Sequence, residues 1–521
     1  MCGPIAIVDL FSGPGGLGEG FSAVLDSKAK QRYQIAISIE KEASAHRTLR
    51  LRAFLRRFPA FPAEYYDWIN GRTAEPDWPR LYPSEWQEAE HEAISVELGT
   101  PEAAKILDSR IAEIKALHGG RTLLIGGPPC QAYSLVGRAR NVGKADYKAE
   151  LDHRNFLYDE YVKVLALLSP AVFVMENVKG MLSAAVSGNA IFKKVMDDLR
   201  GAGGPGSYEL FALSATSPQL SGSYPKPQDF IVRAEEHGVP QARHRVIIVG
   251  VKRDLADILP ERLLPRLLRR RDPVTVAMVL GAMPRMRSGL SKSDDVSAWI
   301  SAIDSAIRLV ETTLPGLSAS QKSDFRAELR RVKQEYEALA SRGRTGLGGI
   351  PLPNDCPSDL ASWLHDPRLS QLPQNDTRGH MPSDLARYLF AACYGRVFGV
   401  SPKASDFPPV LAPAHNNWHS GKFNDRFRVQ LADRPSSTVT SHISKDGHYF
   451  IHPDPSQCRS LTVREAARLQ TFPDNYSFLG NRTEQYVQVG NAVPPFLAMQ
   501  IAEAILPIFS HVIETKSQAQ S

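Results

Sequence analysis

The first 250 residues alternate short β-branched runs with helical patterns, and no other feature limits the fold as strongly. The runs predict strands at 5–9, 34–39, 122–125, 171–176, 209–213 and 245–251. The stretches between them predict helices at 16–26, 43–57, 101–118, 155–168 and 190–200. Strands that alternate with helices favour an α/β fold with a mostly parallel sheet and helices on both faces.

This alternation stops after residue 251, and we expect a smaller and less regular second domain at 252–433. That region holds a basic run at 262–271, a loop rich in glycine and proline at 343–357, and helical patterns at 296–310 and 322–340. Patterned sequence returns in the third segment, 434–521. Helices are predicted there at 461–472 and at 495–510, and we expect the last helix to pack onto the first domain, 1–251.

Composition excludes several classes of protein. Of the 521 residues 43% are hydrophobic, but no apolar run approaches the roughly 20 residues of a membrane span. The first residues lack the pattern of a signal peptide, so we expect a cytoplasmic protein. The five cysteines lie far apart, which predicts neither disulfides nor a metal site, and His442, His448 and His452 are expected to be structural. A net charge of +6 is compatible with nucleic acid without indicating it.

A glycine-rich turn follows the first predicted strand. Gly13, Gly15 and Gly18 form a G-x-G-x-x-G pattern after Asp9, at the start of a predicted helix. Glu40 ends the next predicted strand, where a carboxylate can hold a ribose diol. NAD, FAD and S-adenosylmethionine all satisfy these features, and glycines that merely tighten a turn remain the alternative.

Three further blocks carry reactive side chains to the ends of predicted strands. Cys130 lies in GGPPCQAYS, Glu176 in FVMENV, and Arg243 and Arg245 in QARHRV. The rim of an open α/β sheet is where ligands bind. Taken singly, such residues are more often a core cysteine, a helix cap and surface arginines. Their co-occurrence favours one site with a nucleophile, an acid and a cation.

In this order, DLFSGPGGLGEGF, GGPPCQAYS, FVMENV, QARHRV and QVGNAVPP resemble the bacterial-type cytosine-5 DNA methyltransferases. The resemblance covers 5–251 and about 434–500. It implies the Rossmann-like fold of S-adenosylmethionine-dependent methyltransferases, with a target-recognition domain at 252–433. It also implies methyl transfer to carbon-5 of a flipped cytosine in a specific duplex DNA sequence, commonly within a restriction-modification system.

The resemblance also assigns roles to residues. Cys130 is implied as the nucleophile, Glu176 as the partner of cytosine N3, and Arg245 as the contact to O2, with Asn177 beside them. Arg243 and Ser134 are implied as phosphate or loop contacts. The basic, glycine-bearing segment after Cys130 is expected to close over DNA through Gln131, Ser134, Arg138 and Arg140. The implied cofactor contacts are Phe11, Gly13, Gly15, Gly16, Leu17, Glu40, Asp67, Pro128, Asn491 and Ala492.

Three alternatives remain at this point. One is an RNA cytosine-5 methyltransferase, another a catalytically silent DNA-binding regulator of the same fold, and the third a dinucleotide oxidoreductase, which would leave the Cys130, Glu176 and Arg245 blocks without a purpose. The expected partners are S-adenosylmethionine and double-stranded DNA. A cognate restriction endonuclease would be a separate protein, and the chain is expected to be a monomer associated with the nucleoid through DNA.

Overall fold

The computed structural model describes residues 3–129, 153–183, 190–213, 225–267, 272–314, 316–339, 342–343, 351–414, 418 and 425–519. Its centre is an eight-stranded sheet in the order β3-β2-β1-β4-β5-β9-β6, with β7 paired to β9. The strands are β1 Ile5–Leu10, β2 Tyr33–Glu40, β3 Ala93–Ser95, β4 Thr122–Gly126, β5 Val172–Val178, β6 Tyr208–Phe211, β7 Ile231–Arg233, β8 Gln241–Ala242, β9 His244–Lys252, β10 Gly289–Leu290, β11 Gly379–His380 and β12 Ser436–Ser437.

The sheet is parallel from β3 to β5 and antiparallel where β9 pairs with β5, β6 and β7. Every predicted strand is present, with its ends shifted by one or two residues. The mostly parallel α/β sheet is therefore confirmed. The sequence did not indicate β3 and β7, because three residues are too few to display a period.

The helices of the described residues cover both faces of this sheet or lie in the middle and C-terminal parts of the chain. They are α1 Gly16–Ser22, α2 Ala43–Leu55, α3 Ala63–Ile69, α4 Trp78–Leu81, α5 Pro83–Glu92, α6 Pro101–His118, α7 His153–Leu168, α8 Ala190–Gly201, α9 Arg253–Ala256, α10 Val276–Leu280, α11 Val296–Thr312, α12 Ala319–Glu335, α13 Ser358–Leu364, α14 Pro382–Phe398, α15 Val463–Leu469, α16 Arg482–Asn491 and α17 Pro495–Ala519. Alternate residues of β1 separate the two layers: Ala6, Val8 and Leu10 pack towards α6, α7 and α8, and Ile5 and Ile7 towards α1 and α17.

The last helix, α17, packs against the central sheet and α1. Apolar side chains of α17 share one buried cluster with β1 and α1. The stretch Arg482–His511 is long and apolar enough to cross a membrane by length and composition alone, but 67% of its most apolar window is buried inside the protein. Its hydropathy is that of a core helix.

The middle of the chain is more regular than expected. Helices α11, α12 and α14 enclose their own cluster around Trp299, Phe325 and Phe390. Another cluster joins α10 and α13 to α15 and α16, and Leu255 and Leu267 pack with the sheet, so buried contacts cross both predicted boundaries. The division at 252 and 434 stays a prediction.

An aromatic insertion between β2 and β3, formed by α3, α4 and α5, was not predicted. Its rings pack around Phe54 and Trp78, edge to face between Phe54 and Phe58 and between Trp68 and Trp78, and tilted by 45° between Phe54 and Trp78. The Tyr66 hydroxyl donates to Asp366, and Asn70 Oδ1 accepts from the Ser370 amide, so the insertion is fixed to the middle of the chain.

The three histidines have different surroundings. His448 and His452 are buried, His448 against the Tyr388 hydroxyl at 2.7 Å, whereas exposed His442 meets the Tyr449 ring edge-on. The part of the chain that the structure describes holds no group of three or more His, Cys, Asp and Glu side chains arranged to bind a metal.

Candidate active site

A cleft of about 980 Å³ opens where β1, β2, β4 and β5 end and β9 begins. Segments far apart in the sequence meet there, including the glycine-rich turn, the strand ends, the last residues of α16 and the residues between α16 and α17. The predicted residues that line it are Phe11, Gly13, Gly16, Leu17, Glu40, Pro128, Glu176, Asn177, Arg243, Arg245, Asn491 and Ala492.

The glycine-rich turn presents its backbone to this cleft. Phe11 and Gly13 both have left-handed backbone angles, with φ of 56° and 57°. A side chain at Gly13 would meet no atom within 4 Å, so the turn leaves open space for a ligand to approach closely.

Glu40 is fixed beside the turn. Its two carboxylate oxygens accept hydrogen bonds from the amides of Gly13 and Glu42, each at 2.8 Å. Burial raises the pKa of Glu40, an effect that these backbone hydrogen bonds partly offset. A carboxylate held this way can accept further hydrogen bonds from vicinal hydroxyls.

Glu176 and Arg245 form an ion pair in the opposite half of the cleft. Arg245 Nε lies 2.8 Å from Glu176 Oε1, and both side chains are about 15% exposed. Antiparallel pairing of β5 with β9 brings them together, since Arg245 is the register partner of Val178. Gly127 lies next to this ion pair, and a Cβ at this position would lie 2.9 Å from Glu176 Oε2.

Asn177 connects two of the sequence blocks. Its Nδ2 donates to the Pro128 carbonyl at 2.9 Å, and its Oδ1 accepts from the Val178 amide. The amide thus fixes the PPCQ block just before Cys130 and stabilises the turn that follows β5. Its position is that of a bracing residue and does not require contact with substrate.

Arg243 lies in the cleft wall, but its surroundings differ from those expected of a phosphate or loop contact. The side chain is 2% exposed, and Nη1 donates to the carbonyls of Val439 and Gly490. Burial and the charge of Arg245 lower the pKa of Arg243 well below its usual range. Arg243 therefore fixes the C-terminal segment to β9 instead of extending outward.

Two of the residues expected to contact the cofactor, Gly15 and Asp67, are not among those that line the cleft. Gly15 is absent from the cleft lining, and a Cβ there would face Leu49 and the Tyr476 hydroxyl. Asp67 lies on α3, where it pairs with Arg72 at 3.0 Å outside the cleft. Gly15 is the N-cap of α1 and has a left-handed backbone with φ of 99°, and in this position its α-carbon is directed away from the cleft.

Some residues that line the cleft are not predicted from the sequence. Val96 and Leu98 follow the short strand β3, and Thr440 and Ser441 approach the cleft beside Arg243. The three-residue strand gives no periodic signal for the first pair, and the irregular segment 434–461 gives none for the second.

The remaining predicted residues, Cys130, Gln131, Ser134, Arg138 and Arg140, lie outside the described residues. Pro128 and Pro129, directly before Cys130, line the cleft between its two halves.

The chain shares a family model and long alignments with known proteins. The model of C-5 cytosine-specific DNA methylases matches residues 97–507. The type II methyltransferase M.Bpa9945I of Bacillus paralicheniformis is 32% identical, over 97% of this chain and 99% of its own length. M.AgeI of Thalassovita gelatinovora is 28% identical, over 74% of this chain and 82% of its own.

A solved structure shows the same fold. The crystal structure of a proposed DNA modification methyltransferase from an E. coli prophage matches with a TM-score of 0.54 and 18% identity, over 97% of this chain and 99% of that chain. Because the family model spans well over half of the sequence and the described motifs converge on one cleft, the chain belongs to the C-5 cytosine-specific DNA methylase family.

Proposed function

We propose that this protein transfers a methyl group from S-adenosylmethionine to carbon-5 of a cytosine flipped out of duplex DNA, through a covalent adduct with Cys130. The observation that carries the proposal is the ion pair of Glu176 and Arg245, which faces the same cleft as the glycine-rich turn and Glu40. Cys130 follows the lining residues Pro128 and Pro129, which lie between these two halves.

The residues present fit S-adenosylmethionine. Gly13 leaves open space beside the turn, Glu40 offers oxygens for ribose hydroxyls, and Asn491 and Ala492 line the same half of the cleft. When bound, S-adenosylmethionine supplies an electrophilic methyl group. In the family resembled, an acidic residue near the third strand contacts adenine. We assign this role to Glu97, which is not itself in the cleft lining but lies between the lining residues Val96 and Leu98 and pairs with Lys41 at 2.8 Å.

Carbon-5 of cytosine is too weak a nucleophile to react unaided, and the protein groups address this weakness. The Cys130 thiolate adds to carbon-6 and makes the ring enamine-like. Glu176 shares a proton with N3, and Arg245 donates to O2 and balances the developing negative charge. N3 and O2 are adjacent on the ring edge, so an adjacent carboxylate and guanidinium match them.

The remaining steps, methyl transfer and elimination, need no other nucleophile from the protein. Carbon-5 would form its bond to the methyl group as the bond between that methyl group and the sulfonium sulfur breaks, with S-adenosylhomocysteine as the second product. Loss of the carbon-5 proton to solvent, with departure of the Cys130 thiolate from carbon-6, restores the aromatic ring. Asn177 keeps the PPCQ block in register with the ion pair throughout, through its bond to the Pro128 carbonyl.

The substrate base must leave the helical stack to reach such a cleft. We propose that the segment after Cys130, with Gln131, Ser134, Arg138 and Arg140, contacts the DNA strand, and that the region 252–433 reads the target sequence. Membership of a DNA methylase family favours DNA over RNA as the substrate, and the intact Glu176 and Arg245 pair favours turnover over a silent regulator.

A role in protecting DNA beside a separate restriction endonuclease is consistent with the type II methyltransferases to which the chain is similar. The monomeric state and the cytoplasmic location stay predictions.

Base-resolution cytosine methylation mapping tests the proposal. DNA from cells that express the protein is compared with DNA from cells that express Cys130→Ser. We expect methylation at carbon-5 in one short sequence context with the wild type and none with the variant. Equal methylation with the variant would reject Cys130 as the nucleophile. Absence of methylation with wild-type protein that binds S-adenosylmethionine would reject DNA as its substrate in that host.

A further inference from the structure

The glycine-rich turn, residues 11–15, has an unusual backbone that its own sequence does not explain. Phe11, Gly13 and Gly15 all have positive φ angles, and Phe11 is not a glycine. A bulky residue rarely adopts such a conformation unless its surroundings impose it. Contacts from two other parts of the chain hold the turn in this conformation.

One set of contacts comes from the neighbouring strand β2. The Ser12 amide donates to the Ile39 carbonyl at 3.1 Å, and the Gly13 amide donates to Glu40 at 2.8 Å. These bonds fix the front of the turn, on the cleft side.

The back of the turn is held from the C-terminal part of the chain. The Tyr476 hydroxyl donates to the Pro14 carbonyl, and the Tyr476 side chain is fully buried. The same hydroxyl lies 3.3 Å from the position that a Cβ on Gly15 would take. Glycine at 15 is therefore what lets Tyr476 approach.

A buried arginine holds this tyrosine in place. The Arg52 guanidinium lies 4.4 Å from the centroid of the Tyr476 ring and donates through Nε to Glu19 of α1 at 3.2 Å. Tyr476, Arg52 and Glu19 thus join the turn, the first helix and the segment before α16. We call these three residues the brace.

We propose that Tyr476 is a positioning residue for the cofactor, because its hydroxyl fixes the Pro14 carbonyl and so keeps the Gly13 amide on Glu40. This inference rests on the proposed function, since it concerns the cofactor half of the same cleft. Tyr476 is not among the residues that line the cleft, so its effect is on cofactor affinity and not on the reacting atoms.

Two phenylalanine variants of the full-length protein test this inference. Tyr476→Phe removes the hydroxyl and keeps the ring beside Arg52. Tyr33→Phe is the matched control, because Tyr33 is equally buried and its hydroxyl donates to the Ala502 carbonyl at 2.7 Å, which joins β2 to α17. Each variant loses one buried hydroxyl-to-carbonyl bond, so similar losses in melting temperature are expected.

Three measurements distinguish positioning from general stability. Tyr476→Phe should weaken S-adenosylmethionine and S-adenosylhomocysteine binding about 5- to 10-fold, as expected for the loss of one such hydrogen bond. It should raise KM for S-adenosylmethionine and leave KM for DNA unchanged. Without cofactor, it should speed amide exchange at residues 13–18. Tyr33→Phe should change affinity less than about 2-fold and leave that exchange unchanged.

Equal cofactor affinity for Tyr476→Phe and the wild type would overturn the inference. So would equal weakening by Tyr33→Phe, because the effect would then be one of general stability. A wild-type protein that does not bind S-adenosylmethionine would instead reject the proposed function. Amide exchange at the turn would then decide alone, and unchanged exchange in Tyr476→Phe would reject the brace.

Discussion

Asp9 is the last residue but one of strand β1, and its carboxyl group is fully buried. Neither of its carboxylate oxygens has a hydrogen-bond partner among the described residues. Burial raises the pKa of Asp9 to about 8. Ser12 and Arg56 oppose this increase, and the charges of Glu40 and Glu92 add to it, each with a smaller effect. The folded protein therefore keeps this carboxyl neutral at a pH where the unfolded chain ionises it.

This burial predicts a pH dependence of stability. Because the pKa of Asp9 is raised, the free energy of unfolding falls by up to about 1.4 kcal/mol for each unit that the pH rises between about 4 and about 8. The contribution of neutral Asp9 is complete below the unfolded pKa and is lost as pH rises through the folded pKa. Asp9→Asn does not titrate, so its unfolding free energy relative to the wild type should increase between pH 5 and pH 7.5.

Urea unfolding at these two pH values measures the difference. Asp26→Asn is the control, because Asp26 is exposed and its lowered pKa, caused mainly by the backbone amides of Lys30 and Lys28, lies below this range. Parallel pH profiles for Asp9→Asn and the wild type would show that the Asp9 carboxyl is not neutral in the folded protein.

The ion pair in the cleft predicts a kinetic effect. Glu176→Gln keeps the shape of the side chain but loses the carboxyl group that shares a proton with cytosine N3. We therefore expect kcat to fall about 10²- to 10⁴-fold. S-adenosylmethionine affinity should not change, because Glu40 and the turn lie in the other half of the cleft. Single-turnover methylation and calorimetry separate the two quantities. A variant with normal kcat would exclude Glu176 as the N3 partner.

At the scale of elements, the aromatic insertion is held by one carboxylate. Asp366 accepts hydrogen bonds from Tyr66, Arg368 and Asn475. Burial alone would raise the pKa of Asp366, but these bonds outweigh it and lower the pKa to about 2. The stabilisation is therefore present above the unfolded pKa of about 4 and is lost as pH falls through the folded value.

Asp366→Asn should lower the unfolding free energy by about 2 kcal/mol at pH 7, because a buried charged acceptor is lost. The difference from the wild type should shrink at pH 3. Asp67→Asn is the control, because the Asp67 side chain is 42% exposed, and its unfolding free energy should stay within about 0.5 kcal/mol of the wild type. Denaturant unfolding at both pH values gives these differences. A constant difference would show that the charge of Asp366 does not stabilise the docking.

The elements also show how far sequence reasoning extends. The long strands are predictable because Val, Ile and Leu runs end at Gly, Pro or Asp, as in β1 and β9. The strand ends then locate Glu40, Glu176 and Arg245, since carboxyl ends share one rim. The sequence does not predict the insertion, because its aromatic side chains pack by tertiary contacts without a clear period. For the same reason it indicates neither β3 nor the position of Asp67 outside the cleft lining.

Sequence also cannot show which way a turn faces. The G-x-G-x-x-G pattern gives Gly13 and Gly15 equal weight, yet one opens to the cleft and the other accommodates Tyr476, which lies more than 450 residues later in the chain. The same limit applies to Arg243, whose carbonyl partners come from the C-terminal segment.

At the scale of the whole molecule, the catalytic half is built from both ends of the chain. Leu497, Ile501, Ile505 and Ile508 of α17 are buried in the sheet's second layer. At about 1.5–3 kcal/mol each, their burial contributes roughly 6–12 kcal/mol, comparable with the total stability of a domain. A fragment of residues 1–252 should therefore show no cooperative thermal transition.

Near-ultraviolet circular dichroism of that fragment during heating, beside the full-length protein, measures this. Co-expression with a fragment of residues 253–521 should restore the transition, because the missing layer is supplied in trans. A cooperative transition in the 1–252 fragment alone would show that α17 is dispensable to the sheet.

The position of α17 also has a consequence for protein synthesis. A ribosome releases the glycine-rich turn long before the helix that packs behind it, so a nascent chain carries the motifs before it carries the layer that orders them. A product that stops before Leu497 lacks the buried side chains of α17. We expect such interrupted products not to act on DNA.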